Sequence, residues 1–412
     1  MNKAVWLVVD GYSSGALYPL EIKKSGGAVY HLQSSTDIHS GALRASFNQD
    51  EYSGNFVFDE DLVALNAWVS NIDELQFVVA GCETGVYLAD YLSETFGLPS
   101  NGTLKSAARR DKYKMVQALQ AKNLRAAKTE QINSLYELDR FIEVVGFPVV
   151  IKPAQSASSD NVYICSMIDE AREAFVKIHG TKNSLGLMNE AVLAQELLRG
   201  QQYVVNTVSS AGCHSVVEVW QDNRIGTGNA YIYDHERLLS DQADYGHLLS
   251  YCYDVLDALD IRYGPCHIEL MVEGTVPTLI EVGARPAGGI QRDVMESVQG
   301  FTHVSTSVQA YLNDGMKISV REVDFMDEVL AVALISSVAG RVVGYRNLDA
   351  IYGLPSYKVL VGLPDIGQAV LVTRDIPSQP GLLMLSHPSK CQVERDLACF
   401  RELEKKGIIL IE

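Results

Sequence analysis

The chain has 412 residues, 47% hydrophobic and 21% charged, an ordinary globular mixture with room for two to four domains at roughly 100–200 residues each. Its 34 Lys and Arg against 51 Asp and Glu leave a net charge of −17, which repels phosphate backbones and anionic lipid and argues against nucleic-acid and membrane-surface partners. The apolar runs at 4–9 and 329–335 fall far short of the roughly 18–20 residues of a spanning helix. The seven cysteines are scattered without a CxxC pair and read as reduced thiols of a cytoplasmic protein, not as a zinc site or disulfide framework.

In chain order, the apolar runs 4–9 and 76–80 each lead into a Gly-containing turn, at 10–15 and 81–85, and then into a helical pattern. That is the pattern of parallel strands buried on both faces, with binding loops just past their carboxyl ends. Residues 1–105 therefore read as an open α/β domain. Ser106 is the expected N-cap of a helix through Lys112. A second helix begins at Asn133/Ser134, with Glu137 completing a capping box, and stops at Gly146 before Pro148. Residues 147–153 read as a short strand ending near Lys152, followed by small polar residues at 155–161, a helix at 169–177 and a strand at 192–198. Leu248, Cys252, Val255, Leu256 and Leu259 recur at helical spacing. After about residue 320 come short β-like pieces, closed by a charged helix at 393–405.

The most informative stretch is 265–289. Residues 267–272 and 278–284 read as two strands of a hairpin. Alternation puts His267, Glu269 and Met271 on one face, and Leu279, Glu281, Gly283 and Arg285 on one face of the partner. A hairpin symmetric about Thr275 opposes Glu269 to Glu281. Like charges directly opposed are destabilising. A shared divalent cation removes the conflict, since Mg²⁺ is commonly held by one or two carboxylates plus substrate phosphates. The same alternation also suits an exposed hairpin with solvated glutamates in a slipped register. Lys152 precedes a loop of small hydroxyl residues, whose N–H groups suit phosphate; Lys112 follows two arginines. Taken singly, each lysine is more often a surface charge. Neither GxxxxGK[ST] nor GxGxxG occurs, so a nucleotide site must be of another kind.

Arg110-Asp111-Lys112, then FPVVIKP at 147–153, QELLRGQQY at 195–203, HIEL at 267–270 and LIEVGARPAGG at 279–289 together resemble the ATP-grasp carboxylate–amine ligases, most of all the dipeptide-forming L-amino-acid ligases. The resemblance runs along essentially the whole chain, least specifically after residue 320. It implies a mixed α/β and α+β fold: an N-terminal open parallel-sheet domain (1–105), an ATP-grasp domain (106–320) with a mobile lid at about 125–203, and a β-rich C-terminal domain (321–412). It implies a cytoplasmic ligase that joins the carboxylate of an amino acid, or similar small acid, to the amine of a second amino acid. The path is an acyl phosphate, and the products are a dipeptide, ADP and phosphate. ATP would meet Lys112, Lys152, Ser156, Ser158, Ser159, Gln195, Glu196, Leu198 and Gln202. Gln202 stands where the family commonly has a ribose-binding glutamate. Glu269 and Glu281 would hold one or two Mg²⁺ ions, with Mn²⁺ able to substitute. Arg285 would be catalytic, at the transferred phosphoryl group and the oxyanion. Glu83, His267, Gly288 and Gly289 would lie on the substrate side, Glu83 at an ammonium group, although a helix N-terminus favours an acid there anyway. His235, after Tyr233 and Asp234, is a further candidate to reach the substrate, although for it and for His267 an ordinary hydrogen-bonded or surface histidine is the commoner case. The partners implied are small amino acids, with a homodimer admitted. Two alternatives stay open: a ligase for a dedicated biosynthetic acid, and a silent nucleotide-binding homologue suggested by Gln202.

Overall fold

The computed structural model describes residues 3–36, 45–156, 160–183, 186–226, 231–239, 245–289, 291–313, 315–316, 318 and 327–412. Ser158 and Ser159 lie outside these described residues. Strands β1 (Val5–Val9), β2 (Ala28–Gln33), β3 (Asn55–Val57) and β4 (Leu75–Ala80) form a parallel sheet in the order β3-β2-β1-β4. β1 is buried along its whole length, as its unbroken apolar run requires. Leu7 and Val9 pack with Leu32, Leu65 and Leu92 on one face; Trp6 and Val8 pack with Tyr18, Val304 and Tyr311 on the other.

Strands β5 (Thr129–Ile132), β6 (Val149–Pro153), β7 (Tyr163–Cys165) and β8 (Val192–Glu196) form a small antiparallel sheet in the order β5-β8-β6-β7. Helices Leu135–Val145 and Ile168–Ile178 cover one face, where Val149 and Ile151 join Leu138, Phe141 and Phe175 in a core. Alternation turns Val150 and Lys152 to the opposite face, which borders a cleft.

The remaining strands are β9 (Gln201–Ser210), β10 (Cys213–Gly226), β11 (Tyr231–Leu238), β12 (Gly264–Glu273), β13 (Val276–Gly283), β14 (Glu328–Ala333), β15 (Gly340–Tyr345), β16 (Tyr357–Val361), β17 (Ala369–Val370), β18 (Leu382–His387) and β19 (Ile409–Ile411). Eight of them make one sheet, β13-β12-β9-β10-β11-β14-β18-β16; β17-β15-β19 make a third small sheet. Helices Gly246–Ala258 and Lys112–Gln120 back the large sheet, where Met115, Leu119, Cys252 and Val255 meet Ile268, Leu270 and Val282. The strands after residue 327 hydrogen-bond directly onto β11 through β14. Among the described residues no helix is long and apolar enough to cross a membrane.

Three local expectations need correction. Ser106 does not cap the helix that carries Lys112. Residues Ser106–Arg109 form a 3-10 turn, and the helix starts at Lys112, capped by Asp111, whose Oδ1 accepts from the Tyr113 and Lys114 amides at 2.9 and 3.1 Å. The Ser106 hydroxyl is drawn instead to buried Asp90 at 2.6 Å. The box at Ser134 is offset by one residue: Ser134 Oγ accepts from the Glu137 amide, but the Glu137 carboxylate reaches the Asn133 amide at 2.7 Å. The hairpin is not symmetric about Thr275. A two-residue turn pairs Glu273 with Val276 and Leu270 with Leu279, and an irregularity then skips Ile280, so that Glu269 still faces Glu281. As a result Leu279 turns into the core rather than sharing the face of Glu281, while Ile280 and Glu281 both line the cleft.

Both segments that join the small sheet to the rest are pinned on this hairpin. Ala126 bridges to Leu279 of β13, beside a bond from Arg125 Nε to Thr278 Oγ1 of 2.7 Å. On the return path Gly200 lies against β12. A Cβ there would stand 2.0 Å from the Val272 carbonyl oxygen, and its φ is +117°, so only glycine fits.

Candidate active site

A cleft of about 1320 Å³ separates the open face of the small sheet from the front of the large one. Lys152, 5% exposed, donates from Nζ to Gln195 Oε1 at 2.8 Å, and Gln195 Nε2 donates on to Thr129 Oγ1 at 2.8 Å. Burial, then the charge of Lys112, pulls the Lys152 ammonium down to about 8 against the pull of Glu281 and Glu269. Lys112 comes from the helix start. Its Nζ pairs with Glu281 Oε2 at 2.8 Å and donates to the Ser156 carbonyl at 2.8 Å.

Glu269 is held from two sides. Gln202 Nε2 donates to its Oε2 at 3.1 Å, and the His267 ring approaches its Oε1 at 3.3 Å. Burial acts to raise its carboxyl, but the His267 bond and charge, with Arg224 and Arg285, hold it at about 2. His267 is itself oriented by Asn206, whose amide bonds Glu218, a carboxylate also taken by Trp220 and Gln299. Among the described residues no cluster of three or more His, Cys, Asp or Glu is arranged for a metal. The hard oxygens of Glu269 and Glu281 are directly opposed and both border the cleft.

The structure brings Lys112, Lys152, Ser156, Gln195, Glu196, Leu198, Gln202, His267, Glu269, Glu281, Arg285, Gly288 and Gly289 to this one cleft. Glu196 contributes its backbone, because its carboxylate is turned to the Lys128 amide at 2.9 Å. Glu83 is not among the residues lining the cleft, and its carboxylate is taken up by two arginines. Its Oε1 takes Arg110 Nη1 at 2.5 Å and its Oε2 takes Arg285 Nε at 3.1 Å. Burial opposes its charge, and Arg110 and Arg285 overcome this and lower its carboxyl. The loops at 10–15 and 81–85 mainly brace each other: a Cβ on Gly81 would stand 2.4 Å from the Asp10 carbonyl oxygen, and one on Gly15 2.4 Å from that of Gly81. Of this pair, Ser13 reaches the cleft. His235 also lines it, bonded to Asp234 at 2.8 Å. Sequence reading missed Asp222, Arg224, Tyr233 and Glu236 on β10 and β11, whose only signal is a charged, aromatic-interrupted alternation.

A family model for the ATP-grasp domain matches residues 145–293. Dapdiamide A synthase from Enterobacter agglomerans is 30% identical over 420 residues, covering 98% of this chain and 96% of that protein. Alanine–anticapsin ligase from Bacillus subtilis strain 168 is 25% identical over 113 residues, 26% of this chain and 24% of that one. Among solved structures, an L-amino acid ligase from Bacillus licheniformis superposes with a TM-score of 0.78 at 18% identity, covering 100% of both chains. The fold and the whole-length relative place the chain in a class: it belongs to the ATP-grasp carboxylate–amine ligases.

Proposed function

We propose that the chain is a cytoplasmic ligase that joins the carboxylate of an amino acid, or a similar small acid, to the amine of a second amino acid at the expense of ATP. The observation that carries this is the convergence of Lys112, Lys152, Glu269, Glu281 and Arg285 from three parts of the chain on one cleft. In this reading residues 1–105 serve the substrate side, 106–320 bind ATP with 125–203 as a lid, and 321–412 complete the wall. Lys112 and Lys152 neutralise ATP phosphates beside Ser156. Gln195, the Glu196 backbone and Leu198 border the adenine. Gln202 serves Glu269 through the bond described above, in addition to any contact with ribose.

Glu269 and Glu281 fit Mg²⁺, which favours oxygen donors and is satisfied by two carboxylates plus phosphate oxygens. When bound, Mg²⁺ supplies neutralisation of phosphate charge. Arg285 offers its guanidinium to the transferred phosphoryl group and then to the oxyanion formed when the amine attacks the acyl phosphate. His267, Gly288 and Gly289 shape the substrate side. A second reading, in which the acid is dedicated to one product, is favoured by the whole-length likeness to an enzyme named for a single product. Phosphate release with ATP, Mg²⁺ and pairs drawn from a panel of amino acids, with product masses, tests both; no turnover together with no ATP binding would overturn them.

A pH effect follows from Lys152. Its ammonium is lowered from 10.5 to about 8, so the folded chain sheds this proton before the unfolded chain does. Its contribution to stability therefore rises with pH between about 8 and 10.5. Its charge for phosphate is lost as pH rises through about 8. Calorimetric titration of ATP is expected to show affinity falling severalfold from pH 7.5 to 9, and Lys152→Met should bind more weakly throughout and lack that decline. An unchanged pH profile in the variant would remove Lys152 from the phosphate site.

A further inference from the structure

We propose that Asp222 and Glu236 form a subsite for the ammonium group of the amino acid that donates its carboxylate, separate from the Glu269–Glu281 pair. This rests on the ligase reading of the same cleft. The two residues are directly opposed across β10 and β11, and both line the cleft. Asp222 is 2% exposed. Its Oδ2 accepts from Arg224 Nε at 2.8 Å, while its Oδ1 is fully buried with no hydrogen-bond partner among the described residues. Arg224 is fixed with its guanidinium 4.0 Å over the Tyr233 ring, so it supplies one positive charge against two carboxylates. A buried acceptor is left without a partner, and the second carboxyl can ionise only with a further cation beside it. The open acceptor is costly unless a ligand completes it. Burial, then Asp222 and Glu269 nearby, pushes the Glu236 carboxyl up to about 8, the sign of a site short of a cation.

The surroundings select an organic ammonium over a metal ion. Glu236 stands beside Ala331, which pairs with Met384, and Trp220 and Leu382 also line this end; the charge therefore sits against an apolar wall. Position selects the donor. Asp222 pairs with Gln202, which pairs with Met271 on the strand that carries Glu269. The subsite is thus two strand spacings, about 10 Å, from that strand. That suits a spectator ammonium, held charged and unreactive, rather than the attacking amine, which must reach the acyl phosphate.

The test is steady-state phosphate release with the twenty proteinogenic L-amino acids as donors, and with the 2-hydroxy acid matching each accepted donor. It compares the wild type with Glu236→Gln and Asp222→Asn. The expected result is a KM for the amino-acid donor at least tenfold higher in both variants, and an ATP KM within twofold of wild type. The 2-hydroxy analogue should be a poor donor for all three proteins. Glu236→Gln borders the cleft and spares the Arg224 bond, so it keeps the test decisive if Asp222→Asn fails to fold. A wild type that turns over while Glu236→Gln keeps its donor KM within twofold overturns the subsite and spares the ligase reading. Equal use of the hydroxy analogue, or loss of Mn²⁺ binding in Glu236→Gln, also overturns it. A wild type that uses no amino acid overturns the reading beneath it.

Discussion

Glu269→Gln and Glu281→Gln are each expected to cut turnover by orders of magnitude while the protein still folds. Both changes keep side-chain shape and remove one charged oxygen from a pair that faces the cleft across the hairpin. Glu269 is ionised across any working pH, because His267, Arg224 and Arg285 outweigh its burial and hold it at about 2. Its folded carboxyl lies below the ordinary 4.5, so the stability it contributes is present above 4.5 and is lost as pH falls through about 2. Like-charge repulsion alone would make the neutral variant more stable. Since the carboxylate is already bonded by His267 and Gln202, Glu269→Gln should instead lose about 1.5–3 kcal/mol, the worth of one hydrogen bond to a charged group. In both variants the rise in Tm given by Mg²⁺ and ATP should shrink, because that increment follows occupancy of the native state. Steady-state kinetics and thermal melts with and without Mg²⁺-ATP check this; near-normal turnover with an unchanged increment would place the metal elsewhere.

Arg285→Met should lower kcat by about 10²–10³-fold with little change in the ATP KM, as removal of a donor aimed at developing charge does. The arginine is held before substrate arrives: Nε on Glu83 at 3.1 Å and Nη1 on the Pro286 carbonyl at 2.9 Å. Glu83 is fixed in turn by Arg110. Arg285→Lys should recover little, since one ammonium cannot keep the Glu83 bond and also meet a phosphoryl group two atoms away. Glu83→Gln should lose less than Arg285→Met and lose it in kcat, because Glu83 positions the guanidinium and does not line the cleft. Gly283 belongs to the same unit: a Cβ there would stand 2.9 Å from Glu83 Oε2 and 3.1 Å from Arg285 Nε. A kcat for Arg285→Met within threefold of wild type would rule out this role.

The readability of the sequence followed the range of the interaction that fixes each feature. The buried strand β1 and the helix at Gly246–Ala258 were legible because period and apolarity are local. The opposition of Glu269 and Glu281 was legible from alternation, yet for an incomplete reason: the bulge at Ile280 that restores it depends on how β13 packs against Tyr251 and the core. The surroundings of Glu83 were not legible, because a lone acid in a loop does not reveal two arginines brought to it from 27 and 202 residues away. Asp222 and Glu236 were invisible for the same reason. Which residue of β11 faces Asp222 is set by an irregularity at Asn223 and Arg224, and that pairing is tertiary.

If residues 125–203 move as a lid, the two pins on the hairpin set the axis of that movement. The outgoing segment is fastened at Ala126 to β13 and the returning one presses at Gly200 on β12, so both pivots sit on the strands that carry Glu281 and Glu269. A rotation about a line through those points has almost no lever arm at the two carboxylates and a long one at Lys152. Opening and closing would thus carry the lysine toward and away from a nearly stationary pair of acids. In such a movement the two acids would ride on the axis and the lysine on the rim.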